Sequence, residues 1–139
     1  MIIKQNDIEQ FIPQRKPFIM IDELSKADEK GFISKFNIRD NNIFLKNNIV
    51  SESALVENIA QTCAAGFGYI NSIKENKESK LGFIGAVSKL TVKKKAKIHS
   101  SLTTEVQILN TFDNIHLIEG TVFEKNQKLV SCQMKIVIT

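Results

Sequence analysis

SALVENIAQTCAAGFGYINS, residues 53–72, decides the fold of this chain. Leu55, Val56, Ile59, Ala60, Cys63, Ala64, Phe67 and Ile70 cover most of the circumference of a helix drawn through it. A helix that is apolar nearly all round belongs inside a protein rather than on its surface. Ser51 or Ser53 offers the N-cap oxygen. Gly66 and Gly68 lower helix propensity but allow close approach of a sheet or a second helix. The prediction is a buried helix from about Ser53 into Ser72–Lys77, leaving through an exposed charged connection at Lys74–Lys80.

Downstream of that helix the pattern changes to a period of two. Gly82 to Val92 is mostly apolar, and Leu102, Thr104, Val106 and Ile108 alternate with Thr103, Glu105 and Gln107. Asp113-Asn114 is a turn signal before Ile115 to Phe123, and Lys125-Asn126 separates that segment from the last strand. In this last strand Val130, Cys132, Met134, Ile136 and Ile138 form one face, and Ser131, Gln133 and Lys135 the other. Upstream, Asn6 or Asp7 can cap a short helix through Ile8 and Phe11 that stops before Pro13. Phe18 to Ile21 and Gly31 to Ile38 read as further strands. About five or six mostly antiparallel strands around one buried helix satisfy these patterns, an α+β architecture.

With 139 residues the chain fits one domain, residues 1–139, and its 42% hydrophobic content can supply a core. Cys63 and Cys132 make neither a disulfide framework nor a metal-ligand spacing, and no metal or cofactor is expected. The N-terminal stretch lacks the pattern of a secretory signal, and no apolar run is long enough to span a bilayer. A cytoplasmic protein with no membrane partner is therefore expected. The net charge of +4 rests almost wholly on lysine, Arg15 and Arg39 being the two arginines. Nucleic-acid readers favour the planar guanidinium, so nucleic acid is not an expected partner.

Glu57 is the residue that most needs an explanation. It lies about one turn into an apolar helix with Gln61 four residues on, on the same face. A carboxylate there is either a proton donor or acceptor, or a contact at a rim or subunit interface, and residue type leaves both open. His99, in a turn-like Lys97-Ile98-His99-Ser100, and His116, on a late strand opposite Ile115 and Leu117, read as surface residues. Cys63 reads as core. Lys93, Lys94, Lys95 and Lys97 are either a solvated strand edge, with Lys93, Lys95 and Lys97 on one face, or a docking patch for an acidic carrier protein.

Ile12-Pro13-Gln14-Arg15-Lys16-Pro17-Phe18, followed by Ile19-Met20-Ile21-Asp22, resembles the opening motif of the hotdog-fold 3-hydroxyacyl-[acyl-carrier-protein] dehydratases. Leu55-Val56-Glu57-Asn58-Ile59-Ala60-Gln61 resembles their central-helix motif, and Gly82-Phe83-Ile84-Gly85 falls where the family has a similar segment. The resemblance spans nearly the whole chain. It implies an antiparallel sheet wrapped around the central helix and paired into a dimer, with a carrier-bound acyl-phosphopantetheine entering between subunits. It makes Glu57 the catalytic carboxylate and Gln61 its support. Backbone N–H groups at Glu52 and Ser53 would then polarise the thioester carbonyl.

The sequence departs from that family at a decisive place. The family's catalytic histidine stands fourteen residues before the glutamate, and counting back from Glu57 without gaps puts Ile43 there. Ile43 can neither take nor give a proton. Gln14 replaces the histidine of the opening motif, and Ser51-Glu52 replaces the Pro-Gly before the helix. Val56-Glu57-x-x-Ala60-Gln61-Thr62 and Gly82-Phe83-Ile84 look closer to the dehydratase-like proteins of aryl-polyene and related pigment clusters. Some of these resemble subunits that pair with a histidine-bearing dehydratase. Three functions are compatible: a dehydratase-type subunit, homodimeric or paired with a histidine-bearing hotdog dehydratase; a hotdog thioesterase using Glu57 as base or nucleophile; and a non-catalytic acyl-binding or scaffolding subunit.

Overall fold

The computed structural model describes residues 2–75 and 82–138, and the statements below concern those residues. One helix, α1 (Glu52–Glu75), lies on a six-stranded antiparallel sheet. The strands are β1 (Glu23–Asp28), β2 (Gly31–Asn37), β5 (Gly82–Val92), β6 (Ser101–Phe112), β7 (Ile115–Glu124) and β8 (Gln127–Ile138), in the spatial order β1-β2-β6-β7-β8-β5. A small hairpin, β3 (Leu45–Lys46) with β4 (Ile49–Val50), precedes the helix. α1 touches all six strands of the large sheet, which is the α+β arrangement expected. No helix is long and apolar enough to cross a membrane.

The helix begins one residue before the predicted start, with Ser51 just outside it and the Ala54 N–H bonded to the Ser51 carbonyl. Leu55, Ile59, Ala60, Cys63 and Phe67 are buried, and Val56, Ala64 and Ile70 pack partly against the core. Beyond Glu75 the expected charged connection lies outside the described residues. β8 buries Val130, Cys132, Met134, Ile136 and Ile138, the face its alternation marked. Asp113 and Lys125, at the two predicted hairpin turns, both have positive φ.

Close packing of helix on sheet depends on two missing side chains. A Cβ at Gly66 would stand 2.3 Å from the Phe32 ring, and one at Gly120 would stand 2.4 Å from Ile59. Gly66→Ala therefore pushes α1 off β2, and overpacking of this kind costs about 1–3 kcal/mol. Urea titration of the variant is expected to show a lowered midpoint with an unchanged slope.

The first third of the chain corrects the sequence reading at two points. The N-terminal helix is 3-10 (Gln5–Gln10), and its N-cap is Lys4 with no side-chain capping bond, so neither Asn6 nor Asp7 serves. Ile8 anchors it in the core, and Ile3 bridges to Leu24 along the outer edge of β1. Phe18 to Ile21 is irregular rather than a strand, because side chains from α1 occupy its backbone groups. The strand formed instead is β1, which starts at Glu23.

Both cysteines are free and buried. Burial pushes the Cys132 thiol up to about 11 from an ordinary 9.0, and Cys63 is raised further, chiefly by burial and also by nearby Cys132. Since the folded state holds its thiol protons above the pH at which the unfolded chain releases them, stability is fully present below about 9. It falls as pH rises from there towards 11, because the unfolded chain gives up thiol protons that the folded state keeps. Denaturant midpoints measured across this window should decline, and more steeply than for the Cys63→Ala/Cys132→Ala variant.

Candidate active site

Gln61 organises the site. Its Oε1 accepts the Met20 N–H at 2.6 Å, which fixes the orientation of the amide. Nε2 then has its two protons directed at the Phe18 carbonyl and at Glu57 Oε1, both at 2.9 Å. Every hydrogen of this buried amide is used. The opening segment and the central helix, separated by some forty residues, are joined through these bonds.

Asn58 adds a second tie. Its Nδ2 donates to the Met20 carbonyl at 2.7 Å, and its Oδ1 accepts from the Thr104 hydroxyl. Thr62 gives its proton to the Asn58 carbonyl, so the Ser34 hydroxyl is the donor in the 2.7 Å contact between Ser34 and Thr62. Ser34, Asn58, Thr62 and Thr104 are all buried, and the network satisfies them. Sequence reasoning singled out Glu57 and Gln61 but missed this role of Asn58 and Thr62. The available signal was two more polar positions, Asn58 and Thr62, on a helix otherwise suited to a core.

Glu57 itself is half-buried and forms no ion pair among the described residues. It borders two cavities. One, of about 230 Å³, is lined by Gln14, Glu57, Ala60, Ala64, Gly82, Ile84 and Ile136. The other, of about 310 Å³, is lined by Phe18, Phe44, Ser53 and Glu57. Because the Gln61 N–H occupies Oε1, Oε2 is the oxygen left to carry or take a proton. Ser53 joins Glu57 on the second cavity, one helical turn nearer the N-terminus. The Glu52 and Ser53 N–H groups belong to the first turn, where no intrahelical acceptor exists.

The remaining sequence candidates fall elsewhere. Ile43 is 44% exposed, and its neighbour Phe44 lines the cavity instead. Both side chains are hydrocarbon, and neither can take or give a proton. His99 sits in a turn at φ 69°, as expected. His116 is partly buried rather than a fully exposed surface residue, and its Nδ1 lies 2.9 Å from the exposed Thr111 hydroxyl. It shares the inward parity of Ile118 and Val122 and stacks on Phe67 with ring centroids 4.3 Å apart. Burial lowers its pKa, and neither histidine lines a cavity that Glu57 borders. Lys93, Lys94, Lys95 and Lys97 are exposed but do not alternate along a strand. β5 ends at Val92, and the Lys93 and Lys94 N–H groups both turn to the Leu129 carbonyl, while Ala96 between the lysines is buried and its carbonyl accepts the Val50 N–H. Asp22, which closes the opening motif, is structural: it accepts two bonds from Arg39, at 3.0 and 3.1 Å, and the Asn37 N–H at 2.8 Å.

The profile of the ApeP-like family, described as ApeP dehydratase, matches residues 6–138. The chain belongs to the ApeP-like dehydratase family. Among curated proteins it is 27% identical over 116 residues to the 3-hydroxyacyl-[acyl-carrier-protein] dehydratase FabZ of Clostridioides difficile, covering 79% of each chain. It is 30% identical over 125 residues to FabZ of Natranaerobius thermophilus, covering 85% of this chain and 84% of that one. Among solved structures it resembles the dehydratase heterocomplex ApeI:P from Xenorhabdus doucetiae, with a TM-score of 0.86 at 13% identity over 95% of this chain and 90% of that one. A hypothetical thioesterase with coenzyme A from Streptococcus pneumoniae shares the fold at a TM-score of 0.68 and 10% identity, over 84% and 87% of the two chains. The fold is thus the hotdog fold, and this family member is a dehydratase-like protein whose Glu57 cavities contain no histidine among the described residues.

Proposed function

We propose that this protein is the acid-bearing subunit of a 3-hydroxyacyl-[acyl-carrier-protein] dehydratase, and that a histidine-bearing hotdog partner supplies the base. The observation carrying this reading is Glu57, fixed through Oε1 by Gln61 and bordering cavities whose other lining is mainly apolar. In the reaction the partner's base removes the C2 proton, and the released electron pair forms the C2–C3 double bond. The C3–oxygen bond breaks, and Glu57 Oε2 delivers a proton to the departing hydroxyl, which leaves as water. The Glu52 and Ser53 N–H groups, at the positive end of α1, polarise the thioester carbonyl and so acidify C2.

β5 supports the pairing. It is an end strand of the sheet, and its Ile84, Val87, Leu90 and Val92 are 42–46% exposed. An unpaired edge with apolar side chains is a surface that a second subunit covers. Lys93, Lys94, Lys95 and Lys97, just beyond this edge, suit the acidic surface of a carrier protein. Reversing two of them, Lys93→Glu with Lys95→Glu, should raise the carrier Kd about tenfold or more at low salt, with the difference shrinking as ionic strength rises. Titration calorimetry at two salt concentrations checks it.

A thioesterase reading draws on the same carboxylate, because water activation by Glu57 needs no histidine. Incubating the protein and its partner with a 3-hydroxyacyl-loaded carrier and weighing the intact carrier separates the readings. Loss of one water supports the dehydratase, loss of the acyl group the thioesterase, and an unchanged carrier across several chain lengths a scaffolding role.

A further inference from the structure

Gln14 is the second polar side chain on the wall of the 230 Å³ cavity, whose other lining residues besides Glu57 are Ala60, Ala64, Gly82, Ile84 and Ile136. Its Oε1 is buried and accepts no hydrogen bond, the one such side-chain atom among the described residues. A buried amide oxygen without a donor has lost its hydration with nothing in exchange, so the position calls for a partner. The backbone at its root is held in place. Arg15 donates to the carbonyls of Ile12, at 2.7 Å, and of Gln14 itself, at 2.8 Å. The terminal amide torsion is soft, so a small rotation turns this oxygen towards a group entering the cavity.

The chemistry of the substrate supplies the missing donor. A 3-hydroxyl that receives a proton from Glu57 on its oxygen still carries its own hydrogen, which needs an acceptor in a cavity otherwise walled by hydrocarbon. Gln14 Oε1 lacks a donor, and the hydroxyl lacks an acceptor. We infer that Gln14 is a positioning residue that accepts the hydrogen bond of the substrate's 3-hydroxyl, aiming the oxygen lone pair at Glu57 and selecting 3-hydroxyacyl chains over saturated ones. This rests on the dehydratase reading above.

The test uses two non-hydrolysable probes, 3-hydroxyoctanoyl- and octanoyl-pantetheine with nitrogen in place of the thioester sulfur, titrated into the full chain with its partner. The wild type should bind the hydroxylated probe about tenfold more tightly, the effect of one buried hydrogen bond. Gln14→Met, and Gln14→Leu as a second variant, should lose that preference while keeping the octanoyl affinity, which also certifies that the cavity is intact. A preference that survives both variants, or none in the wild type, overturns the role of Gln14 alone. If the wild type binds neither probe, the dehydratase reading falls and this inference with it.

Discussion

Glu57→Gln is expected to lower water elimination by the protein and its partner about 10²–10⁴-fold, the contribution typical of a positioned general acid. The expectation is sharp because the substitution spares the surroundings. A glutamine at position 57 keeps an oxygen to accept the Gln61 Nε2 bond, so the tie from Gln61 to Phe18 and Met20 stays whole. The residue is also half-buried and outside any ion pair among the described residues, so no charge is left without its partner. The melting temperature should move little while turnover collapses. Single-turnover mass measurements on the carrier, beside a thermal melt, separate the two effects. Unchanged turnover would remove Glu57 from the chemistry.

Asn58→Ala should be the most damaging substitution for stability, by about 3–5 kcal/mol. It leaves the Met20 carbonyl and the Thr104 hydroxyl unpaired in a buried site and opens a cavity beside them. The same change frees the segment that Gln61 uses to hold Glu57, so activity falls even where the variant stays folded. Urea unfolding followed by circular dichroism gives the energy. A loss below about 1 kcal/mol would mean that water or a neighbour replaces both bonds.

The parts of the fold legible in the sequence are those whose burial follows a period. α1 and β8 each present one repeating rule, and the buried residues obey it. β1 was illegible because ELSKAD has no apolar alternation and a register shift between Leu24 and Lys26 breaks the pattern further. It is a strand because β2 pairs with it. Phe18 to Ile21 misled in the opposite direction: it is apolar like a strand, yet its peptide groups bond to side chains 38 to 43 residues away. No local pattern encodes such a contact. Within the site, Glu57 and Gln61 could be read because a polar pair in an apolar helix needs a reason. Gln14 could be read only as a replacement in a motif, since its significance lies in an oxygen without a donor. His116 lies opposite Ile115 and Leu117, as its parity predicts, and the buried Ile118 and Val122 two and six residues on show that this side faces inward.

The central claim is that Glu57 of this chain and a base from its partner complete one reaction site. The direct measurement pairs the protein with a histidine-bearing dehydratase whose own catalytic glutamate is changed to glutamine, and follows the intact mass of a 3-hydroxyacyl carrier. The account predicts that neither protein removes water alone and that the mixture does, with the rate saturating near equal amounts. A mixture as silent as its components, or water loss by this chain on its own, would contradict it.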